Sequence, residues 1–141
     1  MIVKFYDQVE DEKLKFAVIA ARAEGKWVFC KHKARTTFEM PGGHREPGEP
    51  ILDTARRELQ EETGATAFDL QPVCVYSVTD PDNFDGAETY GLLCTAQVHT
   101  FGPMDSEMEK IVLTADLPTQ WTYPQIQPKL LAELERRGVI Q

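Results

Sequence analysis

Three carboxylates, Glu58, Glu61 and Glu62, fall within five residues of one another in the stretch PGGHREPGEPILDTARRELQEETGA, positions 41–65. A helical wheel at about 100° per residue sorts them. Ile51, Leu52, Ala55 and Leu59 share one arc and form the core face. Asp53, Arg57 and Gln60 fall away from it, toward solvent. Glu58 lies at the margin of the apolar arc and Glu62 falls inside it, between Ile51 and Ala55. Glu61 is accounted for as an ordinary surface partner of Arg57 one turn back. The other two are not, because like charges one turn apart repel and a carboxylate carried toward a core needs a strong compensating partner. The helix dipole does not help, since these residues lie near its negative end. Bound divalent cations resolve these conflicts together. The paired glycines allow close backbone approach, so a loop carbonyl can join the glutamates, and an all-oxygen set suits magnesium or manganese rather than zinc.

The elements that must position these residues follow from periodicity and turn chemistry. Ile2–Tyr6 and Lys15–Ala21 are expected strands, the Glu24-Gly25 turn leads into a strand over Lys26–Lys33, and Thr36–Met40 is a short extended piece before Pro41. The prolines and glycines of 41–49 make a structured loop, and Pro50 suits the first turn of a helix running to Thr63 and stopped by Gly64. Val73–Thr79, Thr89–His99 and Lys110–Thr114 are further strands, and a helix after Pro128 is closed by Gly138. Strands and helices so intermixed predict an α/β fold, helices packed on a mixed β-sheet in one domain spanning residues 1–141.

Composition narrows the function classes. At 141 residues, 42% hydrophobic and 27% charged, the chain suits a globular protein. A net charge of −8 without a basic block disfavours a nucleic-acid polymer as partner. A polyphosphate ligand would need divalent cations to bridge it to so acidic a protein. No signal-peptide core and no membrane-spanning run is evident, so a soluble cytoplasmic protein with no membrane partner is expected. Cys30, Cys74 and Cys94 are odd in number, lack a CxxC pair and lie in apolar contexts, which predicts reduced buried thiols. The loop DPDNFDGAE fails as a calcium loop, with Phe84 and Gly91 at two ligand positions.

The same residues carry a family signature. Gly43, Glu49 and the run Arg57-Glu58-Leu59-Gln60-Glu61-Glu62-Thr63-Gly64-Ala65 resemble the Nudix box, G-x5-E-x7-R-E-U-x-E-E-x-G-U, with Ala65 at the last bulky aliphatic position as the one departure. The resemblance implies the Nudix fold, an α/β/α sandwich around a mixed sheet, and hydrolysis of a nucleoside diphosphate linked to a further group. It implies Mg2+, with Mn2+ as the alternative, held by Glu58, Glu61 and Glu62 with the Gly42 carbonyl. Arg57 would orient the box glutamates, Glu49 would tie loop to helix, and Gly43 and Gly64 would serve the backbone. The proton-accepting carboxylate differs among members of the family; Glu58 and Glu61 in the box and Glu107 or Glu109 on a later loop are the candidates here.

The chain is short, like the MutT type that converts nucleoside triphosphates, oxidised ones included, to monophosphate and pyrophosphate. His44 stands where MutT carries a lysine, and Gln125 and Gln127 are the amides nearest the place of its base-reading asparagine. Lys33 and Arg35, with Lys31, would share one face if the strand extends that far, and are candidates for phosphate contact. Tyr76, Phe84, Tyr90, Trp121 and Tyr123 are candidates for stacking on a base. The alternatives are an ADP-ribose or dinucleotide polyphosphate hydrolase and, in another class, a non-catalytic nucleotide-binding regulator. Oligomeric state is left open.

Overall fold

The computed structural model describes residues 1–82, 86–103 and 108–140, with the backbone alone over 108–110. Strands β1 (Ile2–Tyr6), β2 (Leu14–Ala23), β3 (Lys26–His32) and β4 (Gly42–His44) precede helix α1 (Ile51–Thr63). Strands β5 (Ala65–Thr79), β6 (Glu88–Phe101) and β7 (Met108–Thr114) follow, and α2 (Gln127–Arg136) closes the order. The sheet runs β1-β5-β6-β2-β3-β7, with β4 paired to β2 beside that path. Among the strands described, β2 and β6 run parallel and the other strand pairs are antiparallel. This is the expected mixed sheet.

Local chemistry sets the boundaries. Glu24 (φ 54°) and Gly25 (φ 75°) form the two-residue turn that places Ala23 opposite Lys26, the hairpin geometry matching strand twist. Gly64 (φ 76°) takes the left-handed conformation at the end of α1, and its N–H donates to the Gln60 carbonyl.

Alternation along β2 builds two cores. Ala17 and Ile19, with Leu92 and Cys94 of β6, pack under Ala55 and Leu59 of α1. Ala20, with Phe29 of β3 and Leu93 of β6, packs under Leu130 and Leu134 of α2. Helices therefore cover both faces, and the apolar arc of α1 lies where the wheel placed it. All three cysteines are free and buried. Among the described residues no helix is long and apolar enough to cross a membrane.

Strand β5 begins at Ala65, earlier than the expected Val73. The polar residues and Pro72 obscured it, but β1 covers β5 only from Val75 to Thr79. Residues 65–72 thus leave one edge open, where a missing N–H and exposed polar side chains are tolerated.

Candidate active site

β4 lies directly against α1, and glycine makes that possible. The Gly42 N–H donates to Glu62 Oε1 at 2.7 Å. A strand residue that turns its N–H away from the ladder turns its carbonyl the same way, so the Gly42 carbonyl also faces the helix side. A Cβ at Gly43 would collide with the Glu58 carboxyl group. Gly43→Ala therefore has to displace Glu58 or the strand. Its melting temperature is expected to fall by several degrees in a thermal scan, the scale of overpacking by one methyl.

Both glutamates that the wheel marked are raised. Burial pushes the Glu62 carboxyl up to about 8, against the Gly42 N–H that favours its charge, and the neighbouring Glu58, Glu39 and Glu61 push it further. Burial also raises Glu58, opposed by the Arg57 guanidinium.

Arg57 is the hub of the site. Its Nε and Nη2 clasp both oxygens of Glu49 at 2.8 and 3.0 Å, and Nη2 also donates to the His44 carbonyl at 3.0 Å. Nη1 donates to Glu58 Oε1 at 2.9 Å and to Glu61 Oε2 at 3.3 Å. Glu49 is held down to about 2 by Arg57 first and by the Thr54 hydroxyl second. Glu61 remains exposed and turned to Arg57. Among the described residues no three His, Cys, Asp or Glu side chains already converge as a metal cage. What converges is the pair Glu58 and Glu62, with Glu61 held one guanidinium away. The donor set is all oxygen, its net charge negative, and its most buried member raised, which fits a hard divalent cation.

A cleft of about 380 Å3 opens across β4 from this pair, lined by Gly42 and Gly43 together with Phe16, Tyr76, Tyr123 and Gln127. His44 also lines it, its ring edge-on to Phe16 at 6.2 Å. Gln127 is buried, and its side-chain oxygen accepts from the Met40 N–H at 2.8 Å. That leaves its amide N–H groups as the part able to meet a ligand. Tyr76 is buried, whereas Tyr123 is 40% exposed.

Other candidate residues lie away from the cleft or at its edge. Strand β3 stops at His32 and the chain turns, Arg35 N–H donating to the His32 carbonyl, so Lys31, Lys33 and Arg35 do not form one strand face. Lys33 is exposed and does not line the cleft. Arg35 instead pairs with Glu39 at 3.1 Å and lies over the Tyr123 ring at 5.8 Å, at the mouth of the cleft. Gln125 is exposed and absent from the lining. Trp121 is taken up edge-on by Phe29, and Tyr90 donates to Glu88. Glu107 and Phe84 lie outside the described residues, as does the side chain of Glu109.

Glu39, Phe16 and Thr54 were not singled out from the sequence. Glu39 is buried, lines the cleft and adds charge near Glu62. Its signal was available, a lone carboxylate in an extended piece directly before the glycine turn.

With loop, helix and cleft in place, the comparison with known proteins is direct. The NUDIX domain pattern matches residues 11–134, and the chain belongs to that family. Members of the family generally use divalent metal ions. The chain is 37% identical over 76 residues to the Bacillus subtilis (strain 168) protein "Putative 8-oxo-dGTP diphosphatase YtkD", covering 54% of this chain and 48% of that one. It is 44% identical over 64 residues to an ADP-ribose pyrophosphatase of the same organism, covering 43% of this chain and 35% of that one. The matched stretches thus span about half or less of these relatives. Among solved structures, a mutant of the Bacillus subtilis pyrophosphohydrolase BsRppH superposes with a TM-score of 0.79 at 25% identity, covering 99% of this chain and 93% of the other. A NUDIX hydrolase from Nitrosomonas europaea shares the fold, with a TM-score of 0.70 at 18% identity over 91% and 96% of the two chains.

Proposed function

We propose that this chain hydrolyses a phosphoanhydride of a nucleoside diphosphate linked to a further group, most simply a nucleoside triphosphate, oxidised or not, to the monophosphate and pyrophosphate. The observation that carries this is that Gly42 and Gly43, which lie against Glu62 and Glu58, also line a cleft with aromatic walls. A polyphosphate laid along β4 would reach the carboxylates while its nucleoside enters the cleft.

Glu58, Glu61, Glu62 and the Gly42 carbonyl would hold the divalent cations, Mg2+ or Mn2+. When bound, these ions would neutralise phosphate oxygens and lower the pKa of a water. Glu49 and Arg57 fix the carboxylates. Water attacks phosphorus, the anhydride bond breaks, and a carboxylate accepts the proton, with Glu58, Glu61 and Glu107 as candidates. His44 and Gln127 line the route of the substrate; Lys33 and Gln125 do not, and Arg35 stands at its entrance.

A panel of canonical and 8-oxo nucleoside triphosphates, ADP-ribose and dinucleotide polyphosphates, read by pyrophosphate or phosphate release with Mg2+ and with Mn2+, tests the reading. Release from a triphosphate is expected. Faster production of AMP from ADP-ribose would favour the second reading, which the similarity to an ADP-ribose pyrophosphatase motivates. No turnover of any member with either metal would refute hydrolysis and leave a nucleotide-binding role.

A further inference from the structure

Arg45 follows His44 directly, and nothing in its sequence context marks it. In the structure each of its three guanidinium nitrogens donates a hydrogen bond. Nε donates to the Glu49 carbonyl at 2.6 Å. Nη1 donates to the carbonyls of Asp11 at 2.8 Å and Leu14 at 3.2 Å, and Nη2 to Asp11 Oδ2 at 2.9 Å. Its own N–H donates to the Lys15 carbonyl at 2.8 Å, carrying the β4–β2 ladder one step beyond His44. One side chain therefore ties together the 3-10 turn Asp11–Lys13, the start of β2 and the end of the loop that launches α1.

The Asp11 side chain is 69% exposed, so that ion pair alone contributes little. The three carbonyls are the larger part, and they are spread so that only a planar fork of donors can reach them; a lysine supplies one point of charge. Glu49, whose carbonyl Arg45 holds, is the residue whose carboxylate holds Arg57.

We infer that Arg45 is a positioning residue: by clasping the backbone of Glu49 to the start of β2 it sets the Glu49–Arg57 pair, and through it the reach of Glu58 and Glu61. The purpose rests on the reading of a metal-assisted hydrolase; the clasp itself rests on the hydrogen bonds of Arg45 alone. A residue bonded directly to a metal ligand controls metal affinity by about 10- to 100-fold, and Arg45 acts on the ligands through Glu49 and Arg57, so the low end of that range is expected.

The test uses Arg45→Lys and Arg45→Met in the full chain, with two readouts. In metal-free protein, amide exchange at Glu46 and Glu49, which bond to each other across the loop, is expected to speed up about 10-fold while that of Leu59 in α1 stays as in the wild type. Titration with Mn2+ is expected to show affinity about 10-fold weaker, and turnover to fall in kcat more than in KM. A merely structural role would instead speed exchange throughout α1, lower the melting temperature and leave Mn2+ affinity of the folded fraction unchanged; that result overturns the inference. So does an Arg45→Lys protein with wild-type exchange and wild-type Mn2+ affinity. If Arg45→Met does not fold, Asp11→Ala removes one arm only and is expected to speed the same two amides by a smaller factor. A wild type that hydrolyses and binds Mn2+ beside an unaltered Arg45→Lys defeats the clasp alone. A wild type that binds no Mn2+ and hydrolyses nothing defeats the proposed function, and with it the purpose assigned to Arg45.

Discussion

Glu62→Gln is expected to melt at a higher temperature than the wild type when both are stripped of metal at pH 9, and to hydrolyse nucleotides at least about 100-fold more slowly when metal is restored. Both halves follow from one carboxylate. Glu62 is held up to about 8 in the folded protein, against an ordinary value of 4.5. Between these values the folded chain keeps a proton that the unfolded chain gives up, so stability falls as pH rises through that window, and the full penalty is present above pH 8. Glutamine has the same shape, retains an oxygen to accept from the Gly42 N–H, and carries no charge. The gain at pH 9 should be on the order of 2 kcal/mol, discounted for partial access of water, or roughly 5 °C. At pH 4.5 the two proteins should converge. Saturating Mg2+ should raise the melting temperature of the wild type and reverse the order. A metal-free wild type that outlasts the variant at pH 9 in a thermal scan would sink this account.

Arg57→Ala should do the opposite in the metal-free state. It leaves Glu49 and Glu58 without their shared cation and frees the His44 carbonyl, so melting temperature is expected to drop by roughly 5 °C or more at neutral pH. The pH dependence identifies the cause. Arg57 holds Glu49 down to about 2, so its contribution is full above the ordinary carboxylate value of 4.5 and disappears as pH falls toward 2. The deficit of the variant should therefore shrink on acidification through that range. Turnover should fall by 10- to 100-fold or more, as expected when the group that orients metal ligands is removed. Arg57→Lys should recover little, because one ammonium cannot clasp Glu49 with two parallel bonds and reach Glu58 as well. A deficit independent of pH would show that Arg57 acts by packing.

The box was legible because its physics is local. Helical periodicity alone placed Glu58 and Glu62 against the core, and Gly64 ended the helix by its own conformational freedom. The two cores were legible for the same reason, as alternation along β2 assigns its residues to faces. What sequence did not show is what depends on distant partners. Arg45 finds Asp11 and Leu14, and Gln127 finds Met40; neither pairing has a periodic trace. The expected basic face failed because it assumed that β3 continues past His32, where the chain instead turns back to place Glu39 opposite Cys30. The wheel sets Glu61 apart as a surface partner of Arg57, and Arg57 does draw it outward, with Glu58 buried and Glu62 half-buried.

The sheet forks at β2. Its first half takes β4 as neighbour, Ala17 meeting Gly43, and its second half takes β3, Ala21 meeting Val28. Because β4 re-enters on a register of its own, the exposed turn around residues 33–36 is not part of any ladder that fixes Gly42 or Gly43. Lengthening or shortening that turn alters the mouth of the cleft, where Arg35 and Tyr123 stand, without shifting the glycines against α1. Surface loops absorb such insertions at small entropic cost. Selection for a new ligand can thus act on one side of the fork while the other keeps its chemistry, and a library of loop lengths at 33–36 should yield folded proteins that differ in what they accept rather than in whether they react.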